Sequence, residues 1–360
     1  MKSLPALDEI RWADPIVEPV YDKVLERELG AYLYAGVYPD ALRRVAHQPW
    51  LARAEARCFR PTVSKISPDL AALTLFISCQ QNSCRYCYGA ARSILKILGL
   101  HEREIRAIET NAGTAEEELE AVTRFVRKLA EADPRPGKQE LDDLRASGLS
   151  PLAIAEIIGV VTAANFSNRN CTFVAAPPEA RLEHLADTFI ARIFRFIWGK
   201  KNGAIKPLKG DLVLDDNQDA FSPFVALLRG TAYARWLRRA IDGCLSSESM
   251  PSDTKLMMFG VIGRTLQCPA FELACESELT KRGWSVSEIR DGIDSLAPRR
   301  LTPESATILS WTRETVWYVP SDVQQKTARL AKDINDPKVV VDAVGTAALG
   351  NALVRLGLLL

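Results

Sequence analysis

The sequence predicts an all-α fold, and three observations support this prediction. Apolar residues recur at helical spacing in long segments, including 115–134 and 302–320. The segments 150–169 and 336–355 each begin with an N-cap residue followed by proline, which is typical of a helix start. No alternating apolar–polar pattern of the kind that marks a strand persists along the chain. We therefore expect helices throughout.

The composition is that of an ordinary globular protein: 360 residues, 47% hydrophobic, 25% charged, with a formal net charge of +1. This length suggests two domains, and the near-neutral charge gives no electrostatic reason to expect nucleic acid or an anionic membrane. The first residues include acidic side chains, and no apolar stretch approaches the ~20 residues needed to cross a bilayer, so we expect neither a signal peptide nor a membrane span. Eight unevenly placed cysteines do not resemble a secreted disulfide framework, so a cytoplasmic location is expected.

The chain repeats itself, with two small changes in the length of the shift. At a shift of 186 residues, Trp50-Leu51-x-Arg53-Ala54-x-x-x-Cys58 recurs as Trp236-Leu237-x-Arg239-Ala240-x-x-x-Cys244. At a shift of 184 the matched pairs include Asp69 with Asp253, Cys84 with Cys268, and Gly99 with Gly283. The shift returns to 186 near the ends, where the pairs are Pro151 with Pro337, Gly159 with Gly345, Asn165 with Asn351, and Arg169 with Arg355. Collinear matches of this kind indicate a tandem repeat.

The repeat suggests a division of the chain into four parts. We expect an N-terminal extension over 1–34, a first copy over 35–175, a linker over 176–220 and a second copy over 221–360. The linker prediction depends on the glycine, proline and charged residues that are concentrated there.

The segment Cys84-Arg85-Tyr86-Cys87 carries the most specific chemical signal. Two thiols three residues apart at the start of a helix share one face and can form a disulfide, and the helix dipole favours a thiolate there. A zinc site would need a second pair of ligands at ligand spacing, which the other cysteines and the three histidines do not supply. Cys79 precedes the pair, so a three-thiolate metal or cluster site also fits. A third interpretation makes these thiols buried packing residues.

The first copy resembles the alkylhydroperoxidase D / carboxymuconolactone decarboxylase family, whose core is a helical hairpin carrying Cys-x-x-Cys-x-x-x-His. Asn82-Ser83-Cys84-Arg85-Tyr86-Cys87 is similar to the thiol motif of the peroxidase-related branch of that family. The segment 140–169 is similar to the downstream helices of that branch, which end in an Asn-Arg pair. The second copy resembles the family more weakly.

The resemblance implies a thiol-dependent peroxidase or disulfide oxidoreductase. In the family the second motif cysteine attacks peroxide and the first resolves it, which makes Cys87 the nucleophile and Cys84 the resolving thiol. Sulfenic acid forms on the nucleophile and condenses with the neighbouring thiol, and a thiol or protein reductant reopens the disulfide by exchange. The expected partners are thus a hydroperoxide or disulfide substrate and that reductant. We expect no cofactor, since the sequence has no glycine-rich dinucleotide or phosphate loop, and no metal. Single-copy members of the family oligomerise, so a homo-oligomer is expected.

The sequence departs from the family motif in both copies. The family histidine falls on Ala91 and the family glutamate on Ala72, so the usual proton relay to the thiolate is absent. In the second copy Phe271 replaces the second motif cysteine. Cys275 occupies the histidine position, but two helical turns separate it from Cys268 by roughly 10 Å, which is beyond disulfide reach. We expect the second copy to be a structural partner.

Two other functions remain open from the sequence. One is a non-redox enzyme resembling carboxymuconolactone decarboxylase, or a small-molecule binding protein on the same fold. The other is an interaction scaffold whose tandem copies assemble. Some polar and aromatic residues at repeated positions are expected to tie helices together or to pack rather than to contact substrate: Asn165, Arg169, Asn351, Arg355, Trp50 and Trp236.

Overall fold

The computed structural model describes residues 4–29, 39–58, 63–110, 117–133, 135–186 and 219–360. These ranges are helical and contain no strand, which confirms the all-α prediction. Most of the expected linker, residues 187–218, and parts of the expected N-terminal extension lie outside the described residues.

The described residues form eighteen helices. In chain order they are α1 (Lys23–Leu29), α2 (Asp40–Val45), α3 (Pro49–Cys58), α4 (Pro68–Gln81), α5 (Arg85–Leu98), α6 (Glu102–Glu109), α7 (Glu117–Glu131), α8 (Lys138–Ala146), α9 (Pro151–Phe173), α10 (Ala180–Ala186), α11 (Ser222–Ala226), α12 (Ala232–Ser246), α13 (Ser252–Thr265), α14 (Pro269–Lys281), α15 (Val286–Ser295), α16 (Pro303–Glu314), α17 (Pro320–Ile334) and α18 (Pro337–Gly357).

Helix ends follow the local sequence. The Ser67 hydroxyl accepts the backbone N–H of Leu70 at 3.1 Å, and the Ser150 hydroxyl accepts that of Ala153 at 3.2 Å. Each serine is followed by a proline at the first helical position, whose missing N–H costs nothing there. Gly99 ends α5 at φ 105°, a left-handed conformation that favours glycine.

The two longest helices, α9 and α18, pack against each other at the centre of the molecule. Both are long and apolar enough to cross a membrane, so the expectation that no segment approaches this length is wrong for these two. Burial gives the physical reason: 89% of the apolar window in α9 and 94% of that in α18 are buried inside the protein. A core helix enclosed by other helices needs apolar residues all round, as a membrane span does.

The two halves present their helices in the same order. Helices α3 to α9 of the first half correspond in sequence position to α12 to α18 of the second. The turn before the motif is also the same, since Ser83 and Gln267 have left-handed φ values of 49° and 50°. Cys84 and Cys268 follow them as the residues that precede α5 and α14.

Two buried arginines connect the halves through hydrogen bonds to backbone carbonyls. Arg169, near the end of α9, donates to the carbonyl of Thr315 at 2.9 Å and to that of Val316 at 2.7 Å, just beyond α16. Arg355, near the end of α18, donates to the carbonyl of Ala130 at 3.1 Å, in the last turn of α7. These arginines thus satisfy carbonyls at the ends of helices in the opposite half, as expected of residues that tie helices together.

The indole groups at repeated positions also cross between the halves. Trp50 donates to the carboxylate of Asp342 at 2.9 Å, and Trp236 donates to the carbonyl of Ala54 at 2.9 Å. Asp342 is fully buried and pairs with Lys255 at 3.0 Å, so its charge is compensated. The halves therefore share one continuous core.

Candidate functional site

Cys84 and Cys87 lie together at the start of α5, as the motif spacing predicts. Cys84 is the N-cap, and its Sγ accepts the backbone N–H of Cys87 at 3.4 Å. The turn that delivers it is closed by a hydrogen bond of 3.3 Å from the Cys84 N–H to the Cys79 carbonyl. Both motif thiols are free and buried.

Two further thiols complete a cluster around this pair. Cys171, in the last turn of α9, is in hydrogen-bonding contact with both Cys84 and Cys87. Cys79, in the last turn of α4, contacts Cys87, and its Sγ donates to the Asn168 side-chain oxygen at 3.3 Å. Among the residues that the structure describes, no group of His, Cys, Asp or Glu side chains is arranged to hold a metal ion, so the three-thiolate metal site gains no support.

Cys171 was missed by the sequence analysis. It lies in a long apolar helix, and nothing in the neighbouring sequence marks it as more than a packing residue. The pairing with Cys84 depends on how α9 crosses α5, which no local spacing encodes.

The environment of Cys84 favours its thiolate. Burial opposes ionisation, but the thiol groups of Cys171 and Cys87, the backbone N–H of Cys87 and the Thr172 hydroxyl all stabilise the negative sulfur. These donors outweigh burial and hold the pKa of Cys84 well below that of an ordinary thiol. The N-terminus of α5 adds to the same effect.

Cys87 has the opposite environment. Burial raises the pKa of its thiol well above the usual value, and contacts with Cys171, Cys79 and Cys84 raise it further. The two neighbouring thiols therefore differ in acidity, with the lower pKa at Cys84 and the higher pKa at Cys87.

An apolar pocket opens onto Cys87. Its volume, including the open mouth, is about 850 Å³. The walls come from α2, α3, α4, α5 and α10 with the turn before it, and include Leu42, Leu75, Ala91, Ile94 and Leu182. Cys79 and Cys87 lie in the wall, whereas Cys84 and Cys171 are not part of it. Ala91, onto which the family resemblance places a histidine, is one of the small side chains of the wall.

Helix α10 closes one side of this pocket, although it lies within the segment expected to be a linker. Glu183 forms a two-point ion pair with Arg85 of the motif, with distances of 2.6 and 3.0 Å. Just before the helix, Glu179 accepts the Tyr86 hydroxyl at 3.2 Å and the Asp40 backbone N–H at 3.0 Å. The motif residues between the two thiols thus hold this wall in place.

A buried carboxyl group from α3 also reaches the pocket wall. Glu55 accepts hydrogen bonds from the Ser167 hydroxyl and from the Asn170 side-chain nitrogen, the latter at 2.9 Å. Burial raises the pKa of Glu55 to about 7, against the hydrogen bonds that lower it and with a smaller contribution from Cys84. The Ser167 oxygen lies 3.9 Å from Cys171 Sγ, so a hydrogen-bonded path joins this carboxyl to the thiol cluster.

Glu55 was also missed by the sequence analysis. The available signal was a single acidic residue on the apolar face of α3, between Ala54 and Ala56. Neither Ala72 nor Ala91 supplies a proton acceptor, whereas Glu55 is an acidic residue that the fold brings close to the thiols from another helix.

The second half closes the back of the cluster. Tyr318 donates its hydroxyl to the Asn168 carbonyl at 3.0 Å and contacts the Thr172 hydroxyl, which in turn contacts Cys84. The Arg169 guanidinium lies 4.8 Å from the centre of the Tyr318 ring. The corresponding part of the second half has no thiol pair, because Phe271 replaces the second cysteine there, and its side chain is fully buried. Cys268 and Cys275 are both free.

Comparisons with known protein families, with curated proteins and with solved structures found no match to this chain. The resemblance to the alkylhydroperoxidase D / carboxymuconolactone decarboxylase family therefore stays a prediction that depends on the motif residues.

Proposed function

We propose that the protein is a thiol-dependent oxidoreductase that reduces hydroperoxides, or exchanges disulfides, through Cys87 and Cys84. One observation carries this proposal: a cysteine of a Cys-x-x-Cys pair lies in the wall of an apolar pocket with its partner thiol directly behind it. A substrate bound in the pocket contacts Cys87, and the sulfenic acid formed on Cys87 lies next to Cys84.

The proposed chemistry has two steps that balance within the site. The Cys87 sulfur attacks a peroxide oxygen, which leaves sulfenic acid on Cys87 and releases an alcohol. The Cys84 sulfur then condenses with that sulfenic acid, which forms the disulfide and releases water. A thiol or protein reductant returns two electrons by exchange.

The proton arrangement of the pair supplies the activation that the absent histidine would otherwise give. The surroundings lower the pKa of Cys84 and raise that of Cys87, and the two thiols are in contact. Transfer of the Cys87 proton to Cys84 places a thiolate at the pocket wall without an external base. The cost of that transfer predicts slow turnover.

The apolar lining favours organic hydroperoxides over hydrogen peroxide. Each methylene group of an alkyl chain that leaves water for this pocket contributes about 0.8 kcal/mol to binding. Side chains such as Leu42, Leu75, Ile94 and Leu182 would contact that chain.

The remaining parts of the proposal concern organisation and setting. We infer two copies of one helical unit, of which only the first carries the thiol pair; the shared helix order and the shared turn before Cys84 and Cys268 support this. A homo-oligomer, a cytoplasmic location and the absence of nucleic-acid or membrane partners belong to the same proposal. Light scattering at micromolar concentration tests the assembly, and a strict monomer would count against it.

Brief oxidation with cumene hydroperoxide, followed by trypsin and mass spectrometry, tests the chemistry. Trypsin cleaves after Arg85, so Cys84 and Cys87 fall in separate peptides, 66–85 and 86–92, which a disulfide would join. We expect this link in the wild type, hydroperoxide consumption that Cys87→Ser abolishes, and no effect of the matched variant Cys268→Ser. Full consumption by Cys87→Ser would place the activity elsewhere.

A second candidate is a non-redox protein, either a binding protein or a carboxymuconolactone decarboxylase-like enzyme. The observation that favours it is the burial of the thiols, with Cys84 fully buried and Cys87 only 5% exposed. Under this hypothesis Cys84 and Cys87 remain reduced in the same experiment while an apolar ligand still protects Cys87 from a small alkylating reagent.

A further inference from the structure

We propose that Cys171 is a third redox thiol of this site: it takes the disulfide over from Cys87, which forms a Cys84–Cys171 bond and returns Cys87 to the pocket as a thiol. This inference rests on the proposed function, because the first disulfide must form between Cys84 and Cys87.

The positions of the three sulfurs carry the inference. Cys171 contacts both motif thiols, so the sulfurs form a compact group in which each has the other two as neighbours. Cys171 is 1% exposed and Cys84 is fully buried, whereas Cys87 lies in the pocket wall. Oxidation at the pocket can therefore pass inward, away from the substrate.

The second half shows independently that the backbone brings these positions together. The residue at the position of Cys171, at the shift of 186, is Gly357. A Cβ added to Gly357 would lie only 2.7 Å from the Sγ of Cys268, the counterpart of Cys84. The close approach of the last turn of the long central helix to the first motif cysteine is thus a feature of both halves.

The exchange step balances without an added reagent. The Cys171 sulfur attacks the Cys84 sulfur of the Cys84–Cys87 disulfide, so a new sulfur–sulfur bond forms as the old one breaks. The electron pair of the broken bond stays on Cys87, which takes up the proton released by Cys171. One disulfide and one thiol are present before and after, and no electrons enter or leave.

The surroundings of Cys171 provide for its proton. The Ser167 hydroxyl lies 3.9 Å from Cys171 Sγ and donates to Glu55, so a carboxylate stands one hydroxyl away from the attacking thiol. Glu55 also interacts electrostatically with Cys84 and with Cys58 on its own helix, and it shares the pocket lining with Glu179 and Arg181. Glu55 can hold the proton during attack and pass it back as Cys87 leaves.

The test maps disulfides after brief cumene hydroperoxide treatment of the full-length protein. Trypsin places Cys171 in peptide 170–181, separate from 66–85 and 86–92. Because Cys79 shares a peptide with Cys84, the parent is Cys79→Ser, whose hydroxyl can still donate to Asn168. We expect two links in this parent, 66–85 with 86–92 and 66–85 with 170–181. Adding Cys171→Ala should leave only the first.

A second variant, Cys84→Ser, tests whether Cys171 also reaches Cys87, and its serine remains a good N-cap for α5. If Cys171 is redox-active, Cys87 oxidised in this variant should be resolved as a link between 86–92 and 170–181. In the double variant Cys84→Ser/Cys171→Ala, oxidation should stop at sulfenic acid on Cys87, which dimedone traps. Cys171→Ser, which is close in size to cysteine, is the control for the loss of packing in Cys171→Ala. Cys244→Ser, which removes a distant buried thiol, should change no link.

Two results would overturn the inference. A parent with only the 66–85 to 86–92 link would leave the proposed function intact and remove the exchange step. Failure of Cys87 to oxidise in any variant would remove the proposed function, and the exchange with it.

Discussion

The two halves of this chain build the same helices around different interiors. At the shift of 184, Leu75 and Cys87 of the first half line the pocket, whereas their counterparts Phe259 and Phe271 pack ring to ring with centroids 5.6 Å apart. Phe221 and Phe224 complete that aromatic cluster. At these matched positions, the volume of a few side chains separates a pocket wall from a packed aromatic cluster.

The thiol cluster shows the same contrast. Of its four positions, only the one held by Cys84 keeps a cysteine in the second half, as Cys268. Cys79 and Cys171 correspond to glycines, Gly263 and Gly357, which let neighbouring side chains approach closely. The carboxyl group is also absent, because Ile241 stands at the position of Glu55. The first half thus has four thiols and a carboxyl group at positions where the second half has one cysteine, two glycines, a phenylalanine and an isoleucine.

The largest expected effect concerns packing. Phe271→Ala should lower the free energy of unfolding by about 3–5 kcal/mol, because it leaves a cavity inside an aromatic cluster. Leu75→Ala should cost less than about 2 kcal/mol, because its side chain already borders open space. Urea denaturation of both variants checks the difference. Equal losses would show that the pocket is filled in solution.

The next effect is a pH dependence that belongs to the first half alone. Burial raises the pKa of Glu55 to about 7 in the folded protein, above the unfolded value, so the folded state binds its proton more tightly. The contribution of Glu55 to the free energy of unfolding is therefore largest below the pKa of the unfolded chain. It falls as the pH rises towards about 7, and the total loss is about 3 kcal/mol. Urea midpoints between pH 4.5 and pH 8 measure this slope.

Glu55→Gln is the matched variant for that slope. The amide keeps the size of the carboxyl group, and a flip of Asn170, whose side-chain oxygen has no hydrogen-bond partner among the described residues, supplies the new amide with an acceptor. The variant should be more stable than the wild type above pH 7 and lose that part of the slope. An unchanged slope would assign the pH dependence to another group.

The third prediction concerns a substitution that fills the pocket of the first half with a side chain found at the matched position of the second. Leu75→Phe places in the pocket wall the residue that the second half has at that position. We expect oxidation of Cys87 by cumene hydroperoxide to slow at least about tenfold, equivalent to about 1.4 kcal/mol in the barrier. Stopped-flow kinetics measures the rate, and hydrogen peroxide, which needs little room, should react with much less change. Phe259→Leu in the second half is the control and should leave both rates as they are.

The smallest effect should be the same in both halves. Ser150 and Asp336 are the N-caps of the two central helices, and each accepts a backbone N–H from the first turn. Replacement of either by alanine should cost about 1 kcal/mol of unfolding free energy. Thermal or urea unfolding checks this equality. A much larger loss for one cap would mean that the two central helices contribute unequally to the shared core.

Several local features of this protein could be predicted from neighbouring residues alone. The helix starts at Ser150-Pro151 and Asp336-Pro337, the end of α5 at Gly99 and the pairing of Cys84 with Cys87 are all set within a few residues, so periodicity and capping rules predict them. The repeat was also readable, because matched residues keep their order whatever the fold.

The surroundings of the thiol pair, in contrast, depend on how distant helices pack together. Cys171 and Glu55 reach it from helices far away in the sequence, and the pocket forms where α2, α3, α4, α5 and α10 meet around small side chains. The acidic thiol is Cys84 rather than Cys87 for the same reason, since Cys171 and Thr172 donate to it across the core. A residue's sequence neighbours fix its helix, but the burial and partners that set its chemistry come from the packing of separate helices.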